Sequence, residues 1–200
     1  MQINNDLLRR LPGEALTFHG DDTADINDGR HEEMTREVMA TMNCGSLPLS
    51  VLRLKIGAPV MLLRNMDPIN GLCNGTRMTI LRATTRCLEV RLNGGSFDGK
   101  TRLIYRTKLT SNETDFPFRL TRLQFPVRLA FAMTINKSQG QSLTHVGIDL
   151  RTPVFSHGQL YVALSRATDV RKVSVLIKES NVDEVTENVV YPEALQGLQR

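Results

Sequence analysis

Hydrophobic residues change their spacing along this chain of 200 residues, and each spacing predicts a different element. Residues 1–10 predict a short helix that a Pro-Gly pair ends. Apolar residues at intervals of four predict a second helix over residues 30–42, with one apolar face. Between the two helices, residues 20–29 are rich in aspartate, asparagine and glycine, so we expect no packed element there.

The middle of the chain alternates between apolar and polar residues, which is the pattern of half-buried strands. Asn-Gly pairs lie among these segments and are typical of tight hairpin turns. Short strands at this spacing predict a small β-barrel over residues 47–124. The predicted strands are residues 54–63, 76–82, 87–92 and 102–109.

Strand and helix patterns alternate in the last third of the chain. The predicted order is a strand over 127–133, a helix over 136–142, a strand over 146–150, a helix over 156–167 and a strand over 172–177. This alternation indicates a parallel sheet with crossover helices. The sequence therefore predicts an α/β layer, begun in residues 1–46 and resumed in residues 125–200, into which the β-barrel is inserted.

The net charge of +4 hides an uneven distribution. Residues 1–46 carry four basic and nine acidic side chains, residues 47–174 carry nineteen and seven, and residues 175–200 carry two and five. A basic middle fits a surface that binds a polyanion, and a merely solvated basic face explains it equally well.

Several classes of protein are disfavoured by composition. No run approaches eighteen apolar residues, so we expect no membrane span. Cys44, Cys73 and Cys87 are too scattered for a disulfide framework or a zinc site, which predicts no metal site and a reducing compartment.

Residues 94–101 match the phosphate-loop pattern G-x-x-x-x-G-K-[ST]. A working phosphate loop follows a buried strand and opens a helix, whose N–H groups face the phosphates. Residues 102–109 alternate like a strand, so we predict a hairpin turn instead. The alternative, a free-standing ATPase that uses Lys100, is disfavoured.

A dense polar cluster follows the predicted strand over 127–133. Thr134, Asn136, Lys137, Ser138 and Gln139 supply hydroxyl, amide and ammonium groups, which are common donors to phosphate. A glycine, Gly140, then lets the backbone approach a ligand closely. The alternative is an N-capped surface turn without a ligand.

Arg166 lies near the end of the predicted helix over 156–167, which we expect Ser156 to cap. An arginine here either interacts favourably with the helix dipole or, when its side chain is rigidly held, neutralises charge on a transferring phosphoryl group. Four aromatic residues lie among basic ones and either stack on bases or fill the core, namely Tyr105, Phe116, Phe118 and Phe125. We favour the core, and we interpret His145 and His157 as structural.

Taken together, these stretches closely resemble the C-terminal half of the petite-integration-frequency (PIF) helicases, which are RecD-like superfamily-one enzymes that move 5′ to 3′ on DNA. The versions in eukaryotic genomes and rolling-circle transposons are the most similar. The resemblance covers nearly the whole chain, weakly before residue 47. The matching stretches are residues 54–65, 71–77, 124–127, 131–143 and 157–167.

The resemblance implies a second RecA-like domain with an inserted SH3-like β-barrel, and it assigns a role to each polar cluster. It implies DNA contacts for Thr134, Asn136, Lys137 and Ser138, and nucleotide contacts for Gln139, Gly140 and Arg166. Arg166 would be the catalytic arginine finger on the γ-phosphate. The implied partner is single-stranded or forked DNA. The implied process is DNA repair or recombination in the nucleus, with the mitochondrion as the alternative compartment.

The phosphate loop and the magnesium-binding acidic pair of these helicases precede anything that matches here. We therefore expect ATP and Mg²⁺ to act in the full-length helicase and neither to bind this chain alone. An N-terminal RecA-like domain, in cis or in trans, would have to supply them. The alternative is a non-catalytic fragment that binds single-stranded DNA, or a relic of a mobile element.

Overall fold

The computed structural model describes residues 2–25, 35–112, 114–178 and 185–195. The chain divides into two compact units, Met1–Ala132 and Met133–Arg200. The domain boundaries predicted at residues 46/47 and 124/125 stay predictions. No helix within the described residues is both long and apolar enough to cross a bilayer.

Unit one is built largely from short strands. Its helices are α1 (Gln2–Arg10) and α2 (Arg36–Thr41). Its strands are β1 (Leu16–His19), β2 (Asp21–Asp25), β3 (Val51–Leu54), β4 (Pro59–Leu62), β5 (Arg77–Ala83), β6 (Cys87–Leu92), β7 (Thr101–Tyr105), β8 (Thr107–Thr110), β9 (Arg119–Gln124) and β10 (Val127–Leu129). They form a five-stranded sheet in the order β10-β4-β5-β6-β7, a three-stranded sheet β2-β9-β8 and the pair β1-β3.

Alternation within β5, β6 and β7 explains the five-stranded sheet, whose pairs are all antiparallel. One side chain in two points to the same face of a strand, and here that face is apolar. The core on this face is completed by Phe18 and Phe125, whose rings meet edge to face at 5.2 Å between centroids. Its strand residues include Val60, Leu62, Met78, Ile80, Leu88, Val90, Leu92 and Ile104.

The strand β2 corrects our expectation that residues 20–29 contain no packed element. It pairs along its length with β9, from Asp21 opposite Leu123 to Asp25 opposite Arg119. Its polar composition is tolerated because Asp22 meets Arg122 in a buried ion pair, with Nε to Oδ1 at 2.6 Å and Nη2 to Oδ2 at 2.9 Å. Residues 26–29 lie outside the described residues.

A buried polar network surrounds that ion pair. Arg122 is 0% exposed and also donates to the carbonyl oxygens of Pro48, Met39 and Met42, at 2.8 to 3.2 Å. Gln124, two residues along β9, donates to the carbonyl oxygens of Phe18 and Ser50. These bonds fasten the end of α2 and the segment before β3 to the middle of β9.

Several predicted elements differ in extent from the observed ones. The helix predicted over 30–42 is described from Arg36 to Thr41, begins at Thr35 and buries Met39, not Val38. Residues 30–34 of that prediction lie outside the described residues. The strand predicted over 54–63 is two strands, β3 and β4, and that over 102–109 is also two, β7 and β8. We did not predict β1 or β9.

The strand predicted over 127–133 is shorter than expected and has a different partner. It is β10, which pairs antiparallel with β4, from Val127 opposite Leu62 to Leu129 opposite Val60. Our expectation that it opens the parallel sheet is therefore wrong. An apolar run identifies a buried strand, but its partner depends on the register of residues far away in the chain.

Unit two is a small α/β layer. It contains β11 (Val146–Asp149), α3 (Gln159–Leu164) and β12 (Val173–Leu176), and β11 pairs with β12 in parallel, as predicted for this part of the sheet. Residues from both strands and α3 share a core, including Ile148, Val154 and Ala163. The predicted helix over 136–142 is a single 3₁₀ turn, Ile135–Ser138.

Candidate nucleic-acid and nucleotide site

The first polar cluster forms a compact turn, residues 134–141, here called the polar turn. Thr134 precedes the 3₁₀ helix Ile135–Ser138 in an extended conformation, and its hydroxyl makes no capping hydrogen bond. Thr134, Asn136, Lys137 and Gln139 are exposed. The turn therefore presents hydroxyl, amide and ammonium groups to solvent without using the threonine as an N-cap.

Ser138 is placed differently from its neighbours. Its side chain is buried, and its hydroxyl donates to the carbonyl oxygen of Ile135 at 2.7 Å. In this arrangement the hydroxyl closes the 3₁₀ turn. The DNA contact expected of Ser138 stays a prediction.

Gly140, the last residue but one of the polar turn, lies in the left-handed region, with φ at +76°. A Cβ atom built here would meet nothing within 4 Å. The glycine is thus required by the backbone conformation, since left-handed backbone costs other residues about 1 kcal/mol or more. The space beside it is open, and the close backbone approach to a ligand expected at Gly140 stays a prediction.

The helix α3 begins beside the polar turn. Our expectation that Ser156 caps it is wrong, because the cap position is Gly158 in the left-handed region. Gln159, the first residue of α3, is 8% exposed. Its Oε1 accepts from the Phe155 N–H at 3.1 Å, and its Nε2 donates to Asn136 Oδ1 at 3.2 Å.

Arg166 follows the other end of α3 and folds back onto the polar turn. Its Nη1 donates to the carbonyl oxygens of Gln141 at 3.0 Å and Ser138 at 3.4 Å. Its Nε donates to the carbonyl oxygen of Val162 at 2.8 Å, and Nη2 to Ser165 Oγ at 2.8 Å. None of the described carboxylates forms an ion pair with it.

These contacts, and those between Leu143 and the residues that follow α3, place the two polar clusters next to each other. The Leu143 N–H donates to the Arg166 carbonyl oxygen at 2.9 Å, and Leu143 forms a parallel bridge with Ala167. The guanidinium is half-buried and fixed by four acceptors of no net charge. A cation held in this way keeps its positive charge available to an anionic ligand.

Sequence reasoning missed two residues of this site. One is Gln159, whose only signal is an amide at the start of an apolar helix. The other is Gln141, whose Nε2 donates to the Lys137 carbonyl oxygen, while its buried Oε1 has no partner among the described residues. Neither amide has a local pattern that distinguishes it from a surface glutamine.

The remaining candidates from the sequence have other surroundings. Residues 94–101 form the turn between the antiparallel strands β6 and β7, which confirms the predicted hairpin and excludes a strand–loop–helix phosphate loop. The core interpretation is confirmed for Phe125, which is fully buried, and is wrong for Tyr105, which is 53% exposed. His157 stacks on Tyr191 at 5.3 Å between centroids and accepts its N–H, as a structural histidine does.

Phe116 and Phe118 stack on each other at 5.6 Å between ring centroids and pack against the core around Leu109 and Leu120. That position supports the core interpretation. No group of three or more metal-binding side chains is found in the part of the chain that the structure describes. All three cysteines are free thiols.

Comparisons with known proteins identify the family that the chain resembles. The family model "DNA helicase Pif1, 2B domain" matches residues 37–82, and a model described as "Helicase", of the herpes helicases, matches residues 116–190. The human ATP-dependent DNA helicase PIF1 is 38% identical over 176 residues, which cover 80% of this chain and 26% of the relative. The rat protein is also 38% identical, over 86% of this chain and 25% of its own length.

The chain belongs to the Pif1-like helicases. It corresponds to a C-terminal segment of them and spans about a quarter of the length of these relatives. The crystal structure of Pif1 from Candida albicans has a TM-score of 0.64 at 27% identity, covering 88% of this chain and 42% of that one. A solved Pif1 structure, described as the structural basis for DNA unwinding at forked double-stranded DNA, has a TM-score of 0.65 at 26% identity, covering 100% of this chain and 40% of that one.

Proposed function

We propose that this Pif1-like segment works in an ATP-dependent 5′-to-3′ DNA helicase, where the polar turn contacts the DNA strand and Arg166 faces the γ-phosphate of ATP. One observation carries the proposal: a guanidinium that pairs with none of the described carboxylates is fixed directly against a turn whose exposed groups can donate hydrogen bonds to phosphate. The relatives named ATP-dependent DNA helicase and the Pif1 structure on forked DNA support it.

The described residues fit only part of an ATP site. Arg166 supplies a fixed cation, which neutralises negative charge on a phosphoryl group, and Gly140 leaves open space beside the backbone. The hairpin at residues 94–101 leads into the strand β7 and not into an α-helix whose N-terminus could bind phosphates. The phosphate loop and the ligands of Mg²⁺ would then come from an N-terminal RecA-like domain, in cis or in trans.

We further propose that residues 47–124 are the inserted SH3-like barrel and that residues 1–46 and 125–200 build the second RecA-like domain. The match of the 2B-domain model to residues 37–82 supports the first part. The antiparallel sheet over β4 to β7 and the parallel pair β11-β12 support the division into a β module and an α/β layer.

Binding of a fluorescent single-stranded oligonucleotide, followed by anisotropy over a range of salt concentrations, tests the DNA contact. Lys137→Ala should weaken binding and reduce the slope of log Kd against log salt by about 0.7, the value for one phosphate contact on a single strand. Lys172→Ala, which removes an exposed lysine of the same unit, should leave both unchanged. Equal slopes for the two variants would contradict the proposal.

The role of Arg166 is tested in an enzyme that joins this segment to a phosphate-loop domain of the family. Arg166→Ala should lower the DNA-stimulated kcat for ATP hydrolysis by about 10³-fold or more. Lys100→Ala should leave kcat unchanged, because Lys100 lies in the β6–β7 hairpin. DNA binding without any ATP hydrolysis in the joined enzyme would instead identify a non-catalytic DNA-binding segment.

A further inference from the structure

Both ends of α3 are fastened to the polar turn. At its beginning Gln159 donates to the Asn136 side chain, and past its end Arg166 donates to the carbonyl oxygens of Ser138 and Gln141. The helix is only six residues long, so its two ends are about 9 Å apart. A displacement of the polar turn therefore acts on α3 at two points rather than one.

Gln159 is suited to this connection by its chemistry. A glutamine amide has one group that accepts and one that donates, and Gln159 uses both: Oε1 accepts from the Phe155 N–H, and Nε2 donates to Asn136 Oδ1. The residue is 8% exposed, so water does not readily replace either bond. A glutamate at this position would retain the acceptor and lose the donor, whereas a leucine would lose both.

The hydrogen bond from Gln159 to Asn136 also determines the orientation of the Asn136 side-chain amide. Because Asn136 Oδ1 accepts from Gln159, the group left to the exposed side of this side chain is the NH₂ donor. Phosphate oxygens accept hydrogen bonds and do not donate them, so this orientation is the productive one for a DNA backbone. The opposite orientation would direct a carbonyl oxygen at the phosphate.

We propose that Gln159 is a positioning residue, which turns the Asn136 donor towards the DNA strand and transmits occupancy of the polar turn through α3 to Arg166. The proposal rests on the proposed function, since it requires that the polar turn contacts DNA. In this proposal a single buried side-chain amide, that of Gln159, couples the DNA-strand site to the nucleotide site. Every bond in this path lies within unit two.

The first test is the affinity of the full chain for single-stranded oligonucleotide. Gln159→Glu should raise Kd by about 3- to 10-fold, the effect of one lost hydrogen bond. In a double-mutant cycle, Gln159→Glu should add little to Asn136→Ala, because the two act through the same contact. Tyr161→Ala, on the same helix but 75% exposed, is the control and should leave Kd unchanged.

The second test observes Arg166 directly. The Nε–Hε group of Arg166 gives its own ¹H–¹⁵N NMR signal, assigned by its loss in Arg166→Lys. In the wild type, saturating oligonucleotide should shift this signal. In Gln159→Glu and Gln159→Leu, saturating oligonucleotide should shift it far less. A merely structural glutamine would change the amount of folded protein, which circular dichroism reports, but not the shift at saturation.

The outcomes separate this proposal from the one on which it rests. If the wild type binds DNA, and Gln159→Glu binds equally well with the same shift at Arg166, the positioning role is wrong while the DNA contact stands. Additive effects of Gln159→Glu and Asn136→Ala would also overturn it. If the wild type binds no oligonucleotide at any salt concentration, both proposals are wrong.

Discussion

The buried ion pair between Arg122 and Asp22 should contribute strongly to the stability of unit one once the chain is folded. Arg122→Met removes both hydrogen bonds to Asp22 and three to backbone carbonyl oxygens. Among the described residues, it leaves Asp22, which is 7% exposed, with only the Ser50 hydroxyl, at 3.1 Å, as a side-chain hydrogen-bond partner. Removal of one partner from a buried pair costs about 3–5 kcal/mol, because the other charge is left uncompensated.

Urea unfolding followed by circular dichroism measures this effect. With an m value of about 2 kcal/mol/M, a loss of about 4 kcal/mol lowers the midpoint by about 2 M urea. Since domains have only about 5–15 kcal/mol of stability in total, a loss of about 4 kcal/mol is a large share of it. Arg119→Met, the same change at an exposed position of β9, is the control and should change stability by about 0.5 kcal/mol or less.

The double variant Arg122→Met/Asp22→Leu separates a lost attraction from an orphaned charge. It buries no charge at either position, so it should be more stable than Arg122→Met alone even though it contains one more substitution. A free energy of unfolding for Arg122→Met within 1 kcal/mol of the wild type would refute the reasoning. So would a double variant that is destabilised by the sum of the two single effects.

Two further predictions concern turns of unit one. Gly71 and Gly75 both have φ near +90°, but a Cβ on Gly71 would lie 2.7 Å from the Phe97 ring, whereas one on Gly75 meets nothing. Gly71→Ala should therefore cost at least 1 kcal/mol more than Gly75→Ala in urea unfolding, an overpacking effect. The Ser46 hydroxyl donates to Asp115 at 2.6 Å and lowers the pKa of that carboxyl. Its stabilisation is present above the unfolded-state pKa of about 3.9 and is lost as pH falls through the lower folded-state pKa. Ser46→Ala should raise the Asp115 pKa, read from its ¹³C carboxyl shift, so that less stability is lost on acidification and the loss is complete at a higher pH; an unchanged pKa would contradict this.

Local pattern predicted the elements whose partners follow closely in the chain. β5 and β6 alternate cleanly and are joined by short turns, so their boundaries were predicted to within one residue. In such hairpins the turn residues fix the register, and a single sequence contains the necessary information.

Elements that depend on distant partners were not predictable in the same way. β2 is too polar for a strand signal, and it forms because Asp22 meets Arg122, one hundred residues away in the sequence. β10 has a strand signal, but nothing local shows that it pairs with β4. Tertiary context decided both, as it often does for short strands.

The candidate site shows the same limit. Residue types and spacing indicated two polar clusters, and the resemblance to helicases suggested that they act together. The bond between Gln159 and Asn136 joins residues 23 positions apart, and no periodicity points to it. The structure adds the hydrogen bonds that join the two polar clusters into one candidate site.

Two arginines of this chain differ in one respect that bears on function. Arg122 and Arg166 both donate to several backbone carbonyl oxygens, but among the described residues only Arg122 also has a carboxylate partner. The Arg122 charge is neutralised inside unit one, so Arg122 stabilises the fold and its charge is not available to a ligand. The Arg166 charge is oriented by the turn and pairs with none of the described carboxylates, so it remains available to an anionic ligand. A half-buried cation in this state is costly to retain for stability alone, which favours a phosphate ligand as the reason for its position.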